Sequence, residues 1–98
     1  MGPYSPKISR PTIVGFFMQY YLYIIYSVIL DKYYIGHTED IEQRLLQHIN
    51  GKSNYTSKAK DWKLMYQESY QTRSLCMKRE KEIKNKKSRK YIEWLIKK

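Results

Sequence analysis

The chain has 98 residues, of which 19 are Lys or Arg and nine are Asp or Glu, so its formal net charge is +10. This length allows one domain with its own core, and the basic excess favours a polyanionic partner, nucleic acid before an anionic membrane surface. The single cysteine excludes an intrachain disulfide, and no apolar run reaches the ~18 residues of a membrane span, so we expect a cytoplasmic protein without membrane contact.

Residues 1–18 contain all three prolines and two of the four glycines. This composition predicts a flexible leader over 1–18, followed by one folded domain over 19–98.

Residues 20–27 are aromatic and β-branched and predict a central strand, with Tyr21, Tyr23 and Ile25 on one face and Leu22, Ile24 and Tyr26 on the other. Asp31 and Lys32 supply turn residues, and residues 33–36 predict a second strand that ends at a glycine, paired as an antiparallel hairpin. The apolar residues 28–30 either extend these strands or form an exposed contact patch through which the chain could dimerise.

Thr38 is predicted to cap a helix in which Ile41, Leu45 and Ile49 recur at every fourth position and form the buried stripe. Gly51 is predicted to close this helix and to open a polar, basic loop over residues 51–61.

A third strand is predicted from Trp62 to about Tyr70, because apolar and polar residues alternate there. Thr72 is predicted to cap a helix that runs to about Lys86, and Ser88 to cap or bend a last helix. The sequence therefore predicts an α+β fold of order ββαβαα, in which helices flank a small three-stranded antiparallel sheet.

Glu80 is a candidate metal ligand, because Mg²⁺ needs only one or two carboxylates when waters and substrate oxygens complete its shell. Helical spacing places it with Cys76 and Ile83 on a semi-buried face, where a carboxylate needs a partner. The alternative is a simple ion pair with Lys84 at the i+4 position.

Arg44 and His48 are four residues apart and project together from the first helix, where they suit phosphate binding and proton transfer. Tyr23 and Tyr34 lie on neighbouring strands, so their hydroxyls can converge at one edge of the sheet. The alternatives are a solvated arginine, a partly buried histidine and two core tyrosines.

The order of the two tyrosine strands, the arginine helix and the glutamate helix resembles that of the GIY-YIG nuclease domain, in its small single-domain branch. Tyr21-Leu22-Tyr23 stands where that family has Gly-Ile-Tyr, Tyr34-Ile35-Gly36 matches Tyr-Ile-Gly, and Arg44 and Glu80 follow at the family's separations. One departure is Tyr21 in place of glycine. Another concerns an asparagine that many members carry well after the glutamate, whereas here Asn85 follows Glu80 by only five residues.

The resemblance implies hydrolysis of DNA, in preference to RNA, with Mg²⁺ or Mn²⁺ bound by Glu80. It further implies that Arg44 stabilises the scissile phosphate, Tyr23 activates or positions the attacking water, Tyr34 orients the site and His48 assists proton transfer. Cutting is expected to be structure-guided or weakly sequence-specific, because so small a domain has little surface for reading a long site.

A set of basic side chains in the loop and the last two helices is predicted to contact nucleic-acid phosphates: Lys58, Lys60, Lys84, Lys86, Lys87, Arg89 and Lys90. Two other functions stay open at this point. One is a nucleic-acid-binding module of the same fold that cuts weakly or not at all, and the other is an interaction protein that uses the apolar patch at residues 28–30.

Overall fold

The computed structural model describes residues 19–52 and 55–98, and the leader predicted over 1–18 lies outside these ranges. The predicted α+β class and the order ββαβαα are confirmed. The elements are β1 (Tyr20–Ser27), β2 (Lys32–Thr38), α1 (Ile41–Ile49), β3 (Lys63–Tyr70), α2 (Arg73–Lys86) and α3 (Arg89–Lys97).

The three strands form one antiparallel sheet in the order β2-β1-β3, so β1 is the central strand and β2 and β3 are its edges. In the hairpin Tyr23 lies opposite Gly36, and Leu22 lies opposite His37. A register irregularity between Ile24 and Ile25 interrupts the pairing of β1 with β3. The strand with the longest apolar run is therefore covered by a neighbour on both sides, as its composition predicts.

The two faces of the sheet have different cores. On one face, Leu22 and Ile24 pack with Ile83 of α2 and Leu95 of α3, and we call this the aliphatic face. On the opposite face, which we call the tyrosine face, aromatic and aliphatic side chains pack together: Tyr21, Tyr23, Ile25, Tyr34, Ile41, Leu45, Ile49 and Trp62. The alternation predicted along β1 is thus confirmed, and it presents Tyr23 to α1.

The helix termini follow the predicted capping residues except at one position. Thr72 and Ser88 accept backbone N–H bonds at the starts of α2 and α3, and Gly51 lies just beyond α1 with a φ of +76°. Thr38 is not the cap of α1, so that prediction is wrong. Asp40 takes this role by accepting from the Gln43 N–H, while the Thr38 hydroxyl accepts from the Asp40 N–H.

The apolar residues 28–30 do not extend the strands but form the turn of the hairpin. Val28 and Ile29 are exposed, and the carboxylate of Asp61 fixes the turn by accepting from both of their backbone N–H groups. The patch is therefore present, although a dimer through it stays a prediction. Within the described ranges, no helix has the length and apolar composition needed to cross a membrane.

Candidate active site

The hydroxyl of Tyr23 reaches across the edge strand because Gly36 has no side chain. A Cβ at position 36 would lie 2.6 Å from Tyr23 Oη and 3.1 Å from the Tyr34 ring. Since the φ of Gly36 is not positive, its role is to leave space for Tyr23 and not to adopt an unusual backbone conformation.

A chain of hydrogen bonds runs inward from this point. Tyr23 Oη lies 2.8 Å from His48 Nε2, and His48 Nδ1 lies 2.7 Å from Thr56 Oγ1. The loop that carries Thr56 is held in turn by Trp62, whose indole N–H donates to the Thr56 carbonyl oxygen over 2.9 Å. His48 and Thr56 are fully buried, so this arrangement satisfies groups that would otherwise be costly to desolvate.

Arg44 determines the direction of this chain. Its Nε donates to Tyr23 Oη over a long 3.4 Å, and its Nη1 donates to Gln47 Oε1 over 2.7 Å. Because an arginine only donates, the Tyr23 oxygen accepts from it and is free to direct its own proton to His48 Nε2. We therefore assign the Nδ1–H tautomer to His48, which donates to Thr56.

The pKa values in this chain follow from burial. Burial raises the pKa of Tyr23 to about 12, against the lowering effect of the bond from Arg44. Burial lowers the pKa of His48 to about 4, and the nearby charge of Arg44 acts in the same direction. At neutral pH Tyr23 is therefore a phenol and His48 a neutral imidazole whose Nε2 accepts the phenolic proton in a hydrogen bond.

Glu80 approaches the same edge of the sheet from α2, on the aliphatic face. Its Oε1 lies 2.6 Å from His37 Nδ1, and its Oε2 accepts from Lys84 Nζ over 2.6 Å. Burial raises the pKa of Glu80, but the bonds from Lys84 and His37 prevail and hold it below its ordinary value. The carboxylate is therefore ionised, and its charge is among the influences that raise the pKa of Tyr23. The predicted Glu80–Lys84 ion pair is present, together with a histidine that the prediction omitted.

Tyr34 lies between the hydrogen-bonded chain and the loop. Its ring centre is 4.9 Å from that of His48, 6.3 Å from that of Tyr23 and 5.4 Å from that of Tyr55. Tyr34 thus packs beside the chain without lengthening it, and it shares an aromatic surface with Tyr55.

The five residues predicted for the site come together around one strand. Tyr23, Arg44 and His48 are linked directly, Tyr34 packs against them, and Glu80 bonds His37, which follows Gly36 on β2. The tyrosine face and the aliphatic face therefore meet at the edge strand β2.

The predicted phosphate-binding residues are spread over several surfaces. Lys84, Lys87 and Arg89 line one groove beside β2, whereas Lys86 lies over the ring of Tyr91. Arg89 is already paired with Asp31 and Glu93. Lys58, Lys60 and Lys90 are exposed elsewhere.

Sequence reasoning missed His37 and Thr56 at the site, and Lys32, which lines the groove beside β2 together with Lys84 and Lys87. His37 directly follows the Tyr-Ile-Gly stretch, so the alternation along β2 places it on the face that α2 covers, and that signal was available. Thr56 and Lys32 gave no such signal, because the path of a loop and the outline of a groove depend on tertiary packing.

These features define a class of protein: a small α+β domain in which an arginine helix and a carboxylate helix converge on paired tyrosine strands. The family model described as the GIY-YIG catalytic domain matches residues 19–92. The chain belongs to the GIY-YIG family, which confirms the resemblance noted in the sequence and points to a nuclease in general.

Several curated proteins are similar to this chain in sequence, and their names do not describe a function. UPF0213 proteins of Staphylococcus saprophyticus and Staphylococcus epidermidis are each 44% identical to this chain over 52 residues, which is 52% of this chain and 63% of the relative. A UPF0213 protein of Staphylococcus aureus is 40% identical over the same length. The match thus spans less than two thirds of these relatives, and no solved structure matches the chain.

Proposed function

We propose that this chain is a metal-dependent endonuclease that hydrolyses phosphodiester bonds in DNA, with Mg²⁺ or Mn²⁺ as its cofactor. The observation that carries the proposal is the convergence of an ionised, half-buried Glu80 and the Arg44–Tyr23–His48 chain on the edge strand β2. Phosphodiester hydrolysis needs an activated water, positive charge at the phosphate and a stabilised leaving oxygen, and these residues suit the first two needs.

The donor set at Glu80 fits a hard divalent cation. No group of three or more His, Cys, Asp or Glu able to hold a metal occurs among the described residues, so a protein-caged ion such as structural zinc is a poor match there. Magnesium, by contrast, keeps several waters and binds through one or two carboxylates plus phosphate oxygens. When bound, such an ion supplies a Lewis acid for the phosphate and lowers the pKa of a water.

Arg44 is suited to the scissile phosphate. In the described part of the chain no carboxylate pairs with it, because its bonded partners, Tyr23 and Gln47, are both neutral. Its positive charge is therefore uncompensated beside the site, and its planar donors match a phosphate better than an ammonium would.

Tyr23 receives the proton of the attacking water as it passes its own phenolic proton to His48 Nε2, 2.8 Å away, so His48 assists the proton transfer. A phenol with a pKa of about 12 is a poor base in the resting protein. A cation held by Glu80 would lower that pKa through its positive charge, and the bond to His48 fixes the direction of the phenolic proton. Tyr34 packs against both rings and holds them in place.

The experiment is cleavage of end-labelled single-stranded, duplex and branched DNA, with RNA of the same sequence, in Mg²⁺ or Mn²⁺. We expect cutting of a DNA substrate that disappears in chelator and in the Glu80→Ala variant. Salt-sensitive binding without cutting, unchanged by Glu80→Ala, would instead establish the alternative, a binding module that kept the fold. Dimerisation or partner binding that survives loss of Arg44 and Glu80 would favour the interaction protein.

A further inference from the structure

A groove of about 760 Å³ runs along the outer side of β2, between that strand and the junction of α2 with α3. It is continuous with the candidate active site at both walls. Lys84, on one wall, bonds Glu80, and Tyr34, on the other, packs its ring 4.9 Å from that of His48. A polymer held at the site would therefore leave it through this groove.

The rim of the groove carries positive charge that no acidic residue in the described part of the chain neutralises. Arg89 is held by Asp31 and Glu93 and so has a structural role. For Lys32 and Lys87, in contrast, no acidic partner is present among the residues that the structure describes. Two lysines without counter-charges on one groove suit successive phosphates of a nucleic-acid backbone.

The interior of the groove is aromatic and apolar. Tyr55 is 59% exposed, and its ring lies 5.4 Å from that of Tyr34 with a tilt of 35°. Ile35, Ile83 and Ile92 line the groove beside them. A duplex hides the faces of its bases in the stack, so only an unpaired strand can use such a surface.

Lys87 has a backbone conformation that favours glycine. It caps the end of α2 in the left-handed region, with φ of +47° and ψ of +41°, where a Cβ is unfavourable. A lysine at this position therefore costs stability, and its side chain lines the groove next to Lys84.

We propose that this groove binds an unpaired segment of DNA that passes through the site, with bases against Tyr55 and Tyr34 and phosphates on Lys32 and Lys87. The inference rests on the proposed function of the neighbouring site and specifies its substrate as a single strand, or a single-stranded arm of a larger structure.

The test measures equilibrium binding of labelled oligonucleotides in chelator, so that cleavage plays no part. The probes are a 12-nucleotide thymidine strand, a blunt duplex and a 12-nucleotide uridine strand, titrated over a range of salt concentrations. We expect the DNA strand to bind more tightly than the duplex. Removal of Lys87 should reduce the slope of log K against log salt by about 0.7, and Tyr55→Ala should weaken strand binding about fivefold or more.

Lys87→Gly separates binding from stability, because glycine relieves the left-handed backbone while it removes the cation. We expect a higher midpoint of thermal unfolding together with weaker strand binding. Lys81→Ala, which removes an exposed charge from the middle of α2, and Trp94→Ala, which removes an exposed ring outside the groove, are the matched controls. Both controls should bind the strand like the wild type.

The proposal is overturned if Lys87→Gly and Tyr55→Ala bind the DNA strand like the wild type, or if the duplex binds more tightly than the strand. Tighter binding of the uridine strand would overturn the assignment to DNA. If the wild type bound the DNA strand in the groove but did not cleave DNA, only the proposed function would be contradicted. If the wild type cleaved DNA, and Lys87→Gly and Tyr55→Ala bound the DNA strand normally, only this inference would be contradicted.

Discussion

Each edge of the sheet has a paired glutamate, and the two glutamates differ in how firmly their partners hold them. Leu22 of β1 lies between His37 of β2 and Glu68 of β3, and consecutive residues of α2 reach the two: Glu80 bonds His37, and Arg79 bonds Glu68. One helix thus supplies one partner of a half-buried carboxylate pair at each edge of the same sheet: Glu80 itself at β2, and the arginine that holds Glu68 at β3.

The β3 pair is closed. Arg79 contacts both carboxylate oxygens of Glu68, over 2.9 and 3.1 Å, and the hydroxyls of Tyr66 and Tyr70 donate to the same carboxylate. Burial raises the pKa of Glu68, but the bonds from Arg79 and the two tyrosines lower it further than burial raises it. Every oxygen is satisfied by rigid partners, so this glutamate is structural.

The β2 pair is open by comparison. Each oxygen of Glu80 has one partner, and Lys84 is a flexible side chain that is half exposed. Beside it, Gly36 leaves a gap through which Tyr23 reaches the edge. A carboxylate is available for chemistry when its contacts can be broken at a small cost in free energy.

The two edges should contribute unequally to stability. Glu68→Gln should lower the free energy of unfolding by about 3 kcal/mol, because it removes the carboxylate that accepts two bonds from Arg79 and leaves the more exposed Glu82, 3.3 Å away, as the acidic partner of that half-buried charge. Glu80→Gln should cost less than about 1 kcal/mol, since an exposed lysine and a histidine can adapt to an amide. Urea denaturation measures both, and equal losses would contradict the distinction.

The gap at the β2 edge predicts a large loss of activity when a side chain fills it. Gly36→Ala places a Cβ 2.6 Å from Tyr23 Oη and forces that hydroxyl away from His48, which should lower kcat/KM for DNA cleavage about 100-fold. Gly51→Ala is the matched control. Its positive φ makes alanine cost about 1 kcal/mol of stability, but no atom lies within 4 Å of the new Cβ, so activity should persist.

The buried His48 behind this gap should make the free energy of unfolding depend on pH. His48 has a pKa of about 4 when folded, whereas an unfolded histidine titrates near 6.5. Its lowered pKa means that stability is complete above pH ~6.5 and falls as the pH drops, because the unfolded chain then binds a proton that the folded chain refuses.

The expected loss from this group is about 2 kcal/mol between pH 7 and pH 5. Urea denaturation at several pH values measures it, with His48→Gln as the reference that lacks the group. If the two proteins lost stability in parallel over this range, the assignment of a buried, neutral His48 would be wrong.

Most of the fold was predictable from the sequence because its signals are local. The alternation along β1, the repeat of Ile41, Leu45 and Ile49, and the caps at Thr72 and Ser88 each depend on neighbouring residues only. The cap of α1 was placed wrongly because Thr38 and Asp40 both bond there, and sequence does not rank two capping residues that lie two positions apart.

The candidate site was predictable in its residues but not in its connections. The order of Tyr23, Tyr34, Arg44, His48 and Glu80 is visible along the chain, whereas Thr56 behind His48 and His37 beside Glu80 come from loop path and strand register. The contrast between Glu68 and Glu80 was likewise hidden, because both are glutamates among basic residues until the partners of each are known.

The assignment of the catalytic edge to β2 is decided by the rate of DNA cleavage in Mg²⁺ for the wild type, Glu80→Gln and Glu68→Gln, each measured where it is fully folded. We expect Glu80→Gln to lose about a thousandfold in kcat/KM. Glu68→Gln should stay within about threefold of the wild type, because its carboxylate has no part in the chemistry. A Glu80→Gln variant that cuts like the wild type, or a Glu68→Gln variant that loses as much, would contradict the assignment of the catalytic edge to β2.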